Sequence, residues 1–444
     1  MSIGPGAGQD GLSLEQAPPL LIPTSFFLLA PLFLGLAGVL LALQGSEILT
    51  SGWNLQTLGL THLLTLGFLA MIMMGALFQM TPVVAGAPVP WIRLAHVIQA
   101  LLGLGVLGIV LATQGVLPSL LFESFSLVTA AAFGFVVLVG TALMRSPVYN
   151  PTVIGMRLAV ACFLLVLLLG GLMSHGFEGG RFPGARPLFL QVHLSLALLG
   201  WVGTLICAVS WQILPMFYIS EETPRLAQWK ILFGLAMSLL SLALLALLIG
   251  FGRIPSPEII QSVAWIVCIP GALTLWWAWP WLSLRSLAQR RRKQVDPSLL
   301  FWKSALSLAF ALPPLAALAW FTSDARFTIL FLFVALFGWA GLTMHGMLSR
   351  ILPFLFWFHR FSPHIGRIPV PSMKKMLPES LIRTGLYAHL VTLSLGSLGI
   401  LLQQDLLLRL TGLALFVTSA LILAQVLWLL PQKPKLPSDR APGG

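Results

Sequence analysis

The sequence predicts an all-α polytopic membrane protein with about twelve transmembrane helices. Of its 444 residues, 58% are hydrophobic and only 9% are charged, a composition typical of a chain embedded in lipid. Apolar runs of about 20 residues, long enough to cross a bilayer, recur along its whole length. These segments cover residues 21–44, 57–80, 93–113, 118–144, 153–174, 188–214, 227–250, 257–280, 299–320, 326–352, 380–402 and 406–430.

One pattern recurs three times, beginning at Gly67, Gly200 and Gly338. Counted from each glycine, an aromatic residue stands at +1, a small residue at +3 and +8, Gln or Arg at +12 and Pro at +15. Repetition of this length sets the architecture of a chain. It predicts three four-helix units, with the pattern on the second helix of each. We place the units at 20–150, 151–297 and 298–430, between a disordered N-terminus (1–19) and a cytoplasmic tail (431–444).

The repeated pattern itself indicates helix packing. Small residues let neighbouring helices approach closely in lipid. The proline at +15 lacks an N–H and is expected to end each helix near the cytoplasmic face. Gln79, Gln212 and Arg350, three residues earlier, are then expected to bond the freed carbonyl groups or to extend to the interface.

Loop charge predicts the orientation. Lys and Arg are concentrated between segments 8 and 9, between segments 10 and 11, and after segment 12. The positive-inside rule therefore places both termini in the cytoplasm, in an inner membrane of the bacterial type. The net charge of +12 favours contact with anionic lipid. No basic-aromatic module accompanies this charge, so nucleic acid is not an expected partner.

The polar residues inside the segments reduce the number of functions that the sequence allows. A proton-coupled transporter usually carries a carboxylate at mid-depth, and hardly any lies deep here. Histidine remains, and imidazole is the commonest protein ligand of haem iron and copper. His62 and His193 open segments 2 and 6, and His175 ends segment 5. All three lie at the outer level, so they are the candidate cofactor ligands; the alternative is an interfacial histidine bonded to a carbonyl group or water.

A second candidate site lies deeper. Position +7 of the pattern carries Met74, Cys207 and His345, and these are soft or borderline ligands that could bind copper if the three faces converge on a central axis. The alternative is a packed core of Met and Cys around a satisfied histidine. His389 stands alone in segment 11 and is a weaker candidate.

Twelve segments in three units, with histidines at the outer ends of segments 2 and 6, resemble the catalytic subunit of haem–copper oxidases and nitric oxide reductases. By that resemblance, His62 would stand where the family's low-spin haem ligand stands, and His193 near its copper-ligating histidine. Segment 7 has no histidine, however, and Phe331 and Phe333 stand where the family has a His-x-His pair. The oxygen-reducing dinuclear centre is therefore absent, and Ala197 replaces the tyrosine that would follow His193.

The chain looks more like the divergent NnrS group, twelve-span haem- and copper-containing proteins associated with nitric oxide metabolism. The resemblance implies a haem-binding protein, with or without copper, in electron transfer or the handling of a diatomic gas, next to a cytochrome or another respiratory-chain subunit. It leaves open the haem type and whether the protein is an enzyme. Two alternatives stand beside it: a cofactor-free assembly or structural subunit of a respiratory complex, and a small-molecule permease.

Overall fold

The protein is built of helices that run the length of an apolar bundle. A computed structural model describes residues 16–49, 54–179, 186–250, 257–291, 294–322 and 324–434, and none of these residues lies in a β-strand. In this described part, twelve helices are long and apolar enough to cross a membrane, which confirms the predicted fold class. They are α1 Leu21–Leu49, α2 Leu55–Ala85, α3 Leu94–Thr113, α4 Pro118–Arg145, α5 Pro151–Ser174, α6 Leu188–Tyr218, α7 Arg225–Leu245, α8 Ser262–Ala288, α9 Pro297–Thr322, α10 Ala325–Arg360, α11 Glu379–Leu402 and α12 Asp405–Leu429.

The repeated pattern lies on α2, α6 and α10, which are longer than predicted. Each of these helices continues beyond the proline at +15: to Ala85 after Pro82, to Tyr218 after Pro215, and to Arg360 after Pro353. The expectation that proline ends these helices is therefore wrong. Proline removes one hydrogen bond of the helix, whereas the bilayer requires the remaining backbone groups to stay bonded within the helix.

The same three helices share a local change of winding that the sequence did not predict. A π-helical stretch covers Leu63–Ala70 in α2, Leu196–Gly203 in α6 and Val334–Gly341 in α10. Each stretch begins four residues before the first glycine of the pattern and ends three residues after it. π-Helical turns are rare and occur often at functional sites.

The pattern positions 0 and +8 contact the preceding helix in one register. The preceding helices are α1 for α2, α5 for α6 and α9 for α10. On each preceding helix, the residue that contacts position 0 and the residue that contacts position +8 are seven residues apart in the sequence. A Cβ built on the glycine of each pair would lie 2.5–2.7 Å from its neighbour: Gly67 against Phe33 and Gly75 against Phe26; Gly200 against Cys162 and Gly155 against Ala208; Gly338 against Leu308 and Gly346 against Phe301. This contact recurs three times, and the division of the whole chain into four-helix units stays a prediction.

The first and last helices pack side by side. A Cβ on Gly38 of α1 would lie 2.7 Å from the carbonyl oxygen of Gly412 in α12, the close approach that small residues permit. At one end of this pair, Asp405 accepts hydrogen bonds from the backbone N–H of Ser46 (2.8 Å) and from Arg409 (2.6 Å). The predicted disordered terminus and cytoplasmic tail lie mostly outside the described residues.

Candidate functional site

The three pattern helices enclose an apolar cavity. Its volume is about 50 Å³, and α2, α6 and α10 contribute the same five positions to it, +5, +6, +9, +10 and +13. These residues are Ile72, Met73, Ala76, Leu77 and Met80; Leu205, Ile206, Val209, Ser210 and Ile213; and Thr343, Met344, Met347, Leu348 and Ile351. Phe27 of α1 and Trp302 of α9 complete the wall. The axis of the repeat is therefore a lipophilic space.

The predicted copper ligands at +7 are not among the residues that line this cavity. Met74, Cys207 and His345 are buried, but a helix turns by about 100° per residue, so +7 faces away from the wall formed by +5, +6 and +9. A metal held by these three side chains on the axis requires a convergence that the structure does not have. His345 has other partners, described below.

His62 lies near the start of α2 with its ring orientation fixed. Its Nδ1–H donates a hydrogen bond to the carbonyl oxygen of Leu58 (2.8 Å), since a carbonyl group can only accept. The ring meets that of Phe125 edge to face, with the ring centres 5.6 Å apart. Nε2 of His62 has no hydrogen bond to any described residue. Its lone pair is thus left available for a ligand, the arrangement found in metal-binding histidines.

His193 occupies the corresponding end of α6. Its ring lies against Gly170 of α5, where a Cβ would come within 3.3 Å of Cε1, so the glycine provides space for the imidazole. The buried Nδ1 of His193 makes no hydrogen bond of regular geometry to a described residue, although the backbone carbonyl group of Val166 in α5 lies close to the ring. The two rings thus pack on different neighbours, His62 on Phe125 of α4 and His193 on Gly170 of α5. Two of the three predicted cofactor ligands thus lie at corresponding ends of α2 and α6, and their ligand role stays a prediction; the side chain of His175 lies outside the described part.

A second pair of imidazoles lies inside the bundle. His345 of α10 and His389 of α11 are both fully buried, with their Nδ1 atoms 3.4 Å apart. His389 Nε2–H donates to the carbonyl oxygen of Phe337 (2.9 Å), which lies in the π-helical stretch of α10. Nε2 of His345 lies 3.0 Å from Nε2 of Gln425 in α12. Three helices thus contribute to one polar chain.

Aromatic rings and glycines fix this pair in place. The His389 ring stacks on that of Phe337, with ring centres 4.0 Å apart and planes inclined by 9°. Phe301 lies 4.5 Å from the His345 ring. A Cβ on Gly385 would meet Nε2 of His345 at 2.9 Å, and one on Gly341 would meet Cε1 of His389 at 3.4 Å. Close packing of this kind leaves the rings little freedom.

Arg350, the +12 residue of the third pattern, belongs to a separate polar cluster. Its guanidinium forms an ion pair with Asp296, and its Nε–H donates to Oγ of Ser298 (2.7 Å). The hydroxyl of Tyr218 also bonds Ser298 (3.0 Å). Arg350 therefore joins α10 to the start of α9 and contacts α6, rather than bonding the carbonyl freed by Pro353.

Sequence reasoning did not pair His345 with His389 and did not single out Gln425. The available signal was a polar residue deep in each of segments 10, 11 and 12. No protein-family model matches the chain, and no curated protein matches it. The fold alone defines its class, a multi-pass helical membrane protein.

Proposed function

We propose that the protein is a haem-binding membrane protein of the haem–copper oxidase-like class. It acts in electron transfer or in the handling of a diatomic gas such as nitric oxide, without an oxygen-reducing dinuclear centre. His62 and His193 supply the imidazole ligands. The observation that carries this proposal is that α2 and α6 each carry a histidine at the same end, with Nδ1 of His62 bonded to the carbonyl oxygen of Leu58.

The two side chains fit the group chemically. Neutral imidazole binds haem iron through one ring nitrogen, while the other usually donates a hydrogen bond that fixes the tautomer. His62 has this arrangement, because Leu58 accepts from its Nδ1–H. His193 has a buried Nδ1 without a hydrogen bond of regular geometry to a described residue, and the backbone group near its ring is the carbonyl of Val166.

Bound haem would supply one-electron chemistry, and its iron would bind a small gas only if one of the two imidazoles left its position free. The protein's own contribution is orientation and exclusion of water. The hydrogen bond to the carbonyl group of Leu58 fixes the orientation of the His62 ring, and the ring of Phe125 packs against it. Gly170 keeps space for the His193 ring. The apolar cavity between α2, α6 and α10 is a medium in which nonpolar gases dissolve better than in water.

The charge of the loops indicates in which membrane, and at which face of it, this function takes place. The basic loops favour a bacterial-type inner membrane with both termini in the cytoplasm and anionic lipid at that face. The histidine pair is then near the outer face, and a cytochrome or another respiratory-chain subunit is the expected partner.

A reduced-minus-oxidised visible spectrum of the purified full-length protein tests the proposal. The protein should be expressed with ample haem and extracted in detergent. We expect a Soret band that shifts on reduction, and we expect His62→Ala and His193→Ala each to shift or remove it. His96→Ala is the matched control, since His96 opens α3 away from the pair and should leave the spectrum unchanged.

A colourless preparation that also lacks copper by elemental analysis overturns the proposal. Co-purification of a cytochrome that is lost on deletion of this chain would then indicate an assembly subunit.

The cavity favours one second candidate, a small-molecule permease. An apolar space lined at the same five positions of three helices could admit a small apolar solute if the helices move apart. Thermal stabilisation by a solute in a ligand screen, in a preparation without chromophore, would support the permease. A chromophore that depends on His62 would contradict it.

A further inference from the structure

The size of the cavity between α2, α6 and α10 restricts what it can hold. Its volume is about 50 Å³. One buried water needs roughly 10–15 Å³, whereas an apolar cavity of about 150 Å³ holds benzene or xenon. The space between the three helices is therefore too small for an organic ring and large enough for a single atom or a diatomic molecule.

The wall of the cavity gives a water molecule few hydrogen-bonding partners. Its two hydroxyl groups belong to Ser210 and Thr343. Ser210 donates to the carbonyl oxygen of Cys207 (2.6 Å), and Thr343 donates to that of Trp339 (2.9 Å). The remaining side-chain N–H of the wall, on Trp302, can donate one hydrogen bond. A buried water usually makes two to four, so the wall favours a nonpolar guest.

Four methionines give the wall an adaptable surface. Met73, Met80, Met344 and Met347 all line the cavity. A methionine side chain is unbranched and flexible and its sulfur is polarisable, so it fits closely around an irregular guest. A nonpolar guest is held by dispersion contacts that are weak singly and add up over its whole surface. This lining therefore suits a small nonpolar molecule.

We propose that the cavity binds one molecule of a nonpolar gas of diatomic size. Binding follows from the volume and the wall and requires neither haem nor a metal ion. The use of the site in the cell rests on the function proposed above, because a nonpolar gas favours the apolar interior of the bundle over water. A molecule bound there lies between α2 and α6, the helices whose outer ends carry His62 and His193.

NMR of the protein labelled with carbon-13 at the methionine methyl groups, under rising xenon pressure, tests the proposal. Xenon is a nonpolar probe that enters apolar cavities. We expect the methyl resonances of Met73 and Met344 to shift and to reach a plateau, as the filling of one site requires. Met156 is buried in α5 and does not line the cavity, so its resonance should shift little and without a plateau. A missing plateau at the cavity methionines, or an equal shift at Met156, overturns the proposal.

Dissolved dioxygen tests the diatomic guest directly. It is paramagnetic, so it should broaden the resonances of Met73 and Met344 more than that of Met156. Equal broadening at all three methionines overturns the assignment of a diatomic guest to this cavity.

A variant that fills the cavity should abolish the effect. Ala76→Leu adds three carbon atoms to the wall, and the plateau of the xenon shift should disappear. Ala130→Leu is the matched control, because Ala130 is exposed on α4 and does not line the cavity, and it should keep the plateau. If Ala76→Leu cannot be purified, Val209→Ile adds a smaller group to the wall and should weaken xenon binding. A plateau unchanged by the filling variant overturns the proposal.

The double variant His62→Ala/His193→Ala separates this site from haem binding. It should lose haem and keep the xenon plateau. A protein with a haem spectrum and no plateau contradicts the gas site alone, and a protein with the plateau that never binds haem contradicts the proposed function alone.

Discussion

Gly155 of α5 lies directly against Ala208 of α6, so that a Cβ on Gly155 would come within 2.5 Å of the Ala208 Cβ. The two equivalent contacts have the opposite assignment. There the glycine, Gly75 or Gly346, lies on the pattern helix, and its neighbour, Phe26 or Phe301, lies on the preceding helix. Each contact contains one glycine, on either side. The close approach of the two helices, rather than a particular residue, is what all three contacts have in common.

Gly346→Ala should destabilise the protein. The new methyl group would lie 2.5 Å from the Cβ of Phe301, the rigid base of a side chain that cannot swing away. Overpacking of this kind typically costs about 1–3 kcal/mol. The melting temperature in detergent measures the effect.

Gly171→Ala in α5 is the matched control, because nothing lies within 4 Å of the Cβ position there. Its melting temperature should stay equal or rise, since alanine favours a helix by up to about 1 kcal/mol over glycine. Equal melting temperatures for the two variants would contradict the packing register described above.

Arg350→Gln should destabilise the protein although Gln is the residue of the other two patterns. It leaves Asp296, half-buried at the start of α9, without its cation, and charge-assisted bonds of this kind contribute about 1.5–3 kcal/mol. Arg326→Gln removes the exposed pair with Asp324 and should cost much less, because water screens an exposed ion pair. Chemical unfolding in mild detergent distinguishes them; an equal loss would show that the Arg350 cluster is not specially stabilising.

The exposed Asp324 predicts a pH effect. Its side chain accepts hydrogen bonds from the side chain and the backbone N–H of Arg326, and these hold the pKa of the carboxyl group below its usual value. A lowered folded-state pKa stabilises the folded state above the unfolded pKa, and the contribution is lost as pH falls through the folded value. Asp324→Asn should therefore reduce the melting temperature at pH 7 and have a smaller effect near pH 2. A difference that grows on acidification would contradict this assignment.

Ala76→Leu tests the cavity. Ala76 is at position +9 and lines the empty space, so three added carbon atoms fill volume and should stabilise the protein by up to about 2 kcal/mol. Ala208→Leu, one position earlier in the equivalent helix, meets Gly155 instead and should destabilise it. Thermal unfolding of both proteins gives the comparison, and a loss of stability in Ala76→Leu would mean that the cavity wall is already closely packed.

Much of the architecture was accessible from the sequence. Hydrophobic length predicted the twelve helices, and the three-fold pattern predicted α2, α6 and α10 as equivalent. The pattern also predicted where close contacts fall, since glycine at 0 and a small residue at +8 permit them. The prediction that the helices end at Pro82, Pro215 and Pro353 was wrong, because the loss of one hydrogen bond does not outweigh the stability of a continuous apolar helix.

The sites were less accessible, for a physical reason. Which side chains meet depends on helix rotation and on the π-helical stretches, and neither is encoded in hydrophobic periodicity. His62 and His193 were predicted to share a level, and the structure places them at corresponding ends of α2 and α6. The pairing of His345 with His389 depends on α11, which carries no copy of the pattern, so no repeat alignment could have found it.

Electron paramagnetic resonance of the oxidised, haem-loaded protein tests the central claim most directly. If His62 and His193 both ligate iron, the wild-type protein should give a low-spin ferric signal, and His62→Ala or His193→Ala should convert it to high spin. His345→Gln should leave the low-spin signal in place. A wild-type protein without a haem signal, or one whose signal survives unchanged in both alanine variants, would contradict the account.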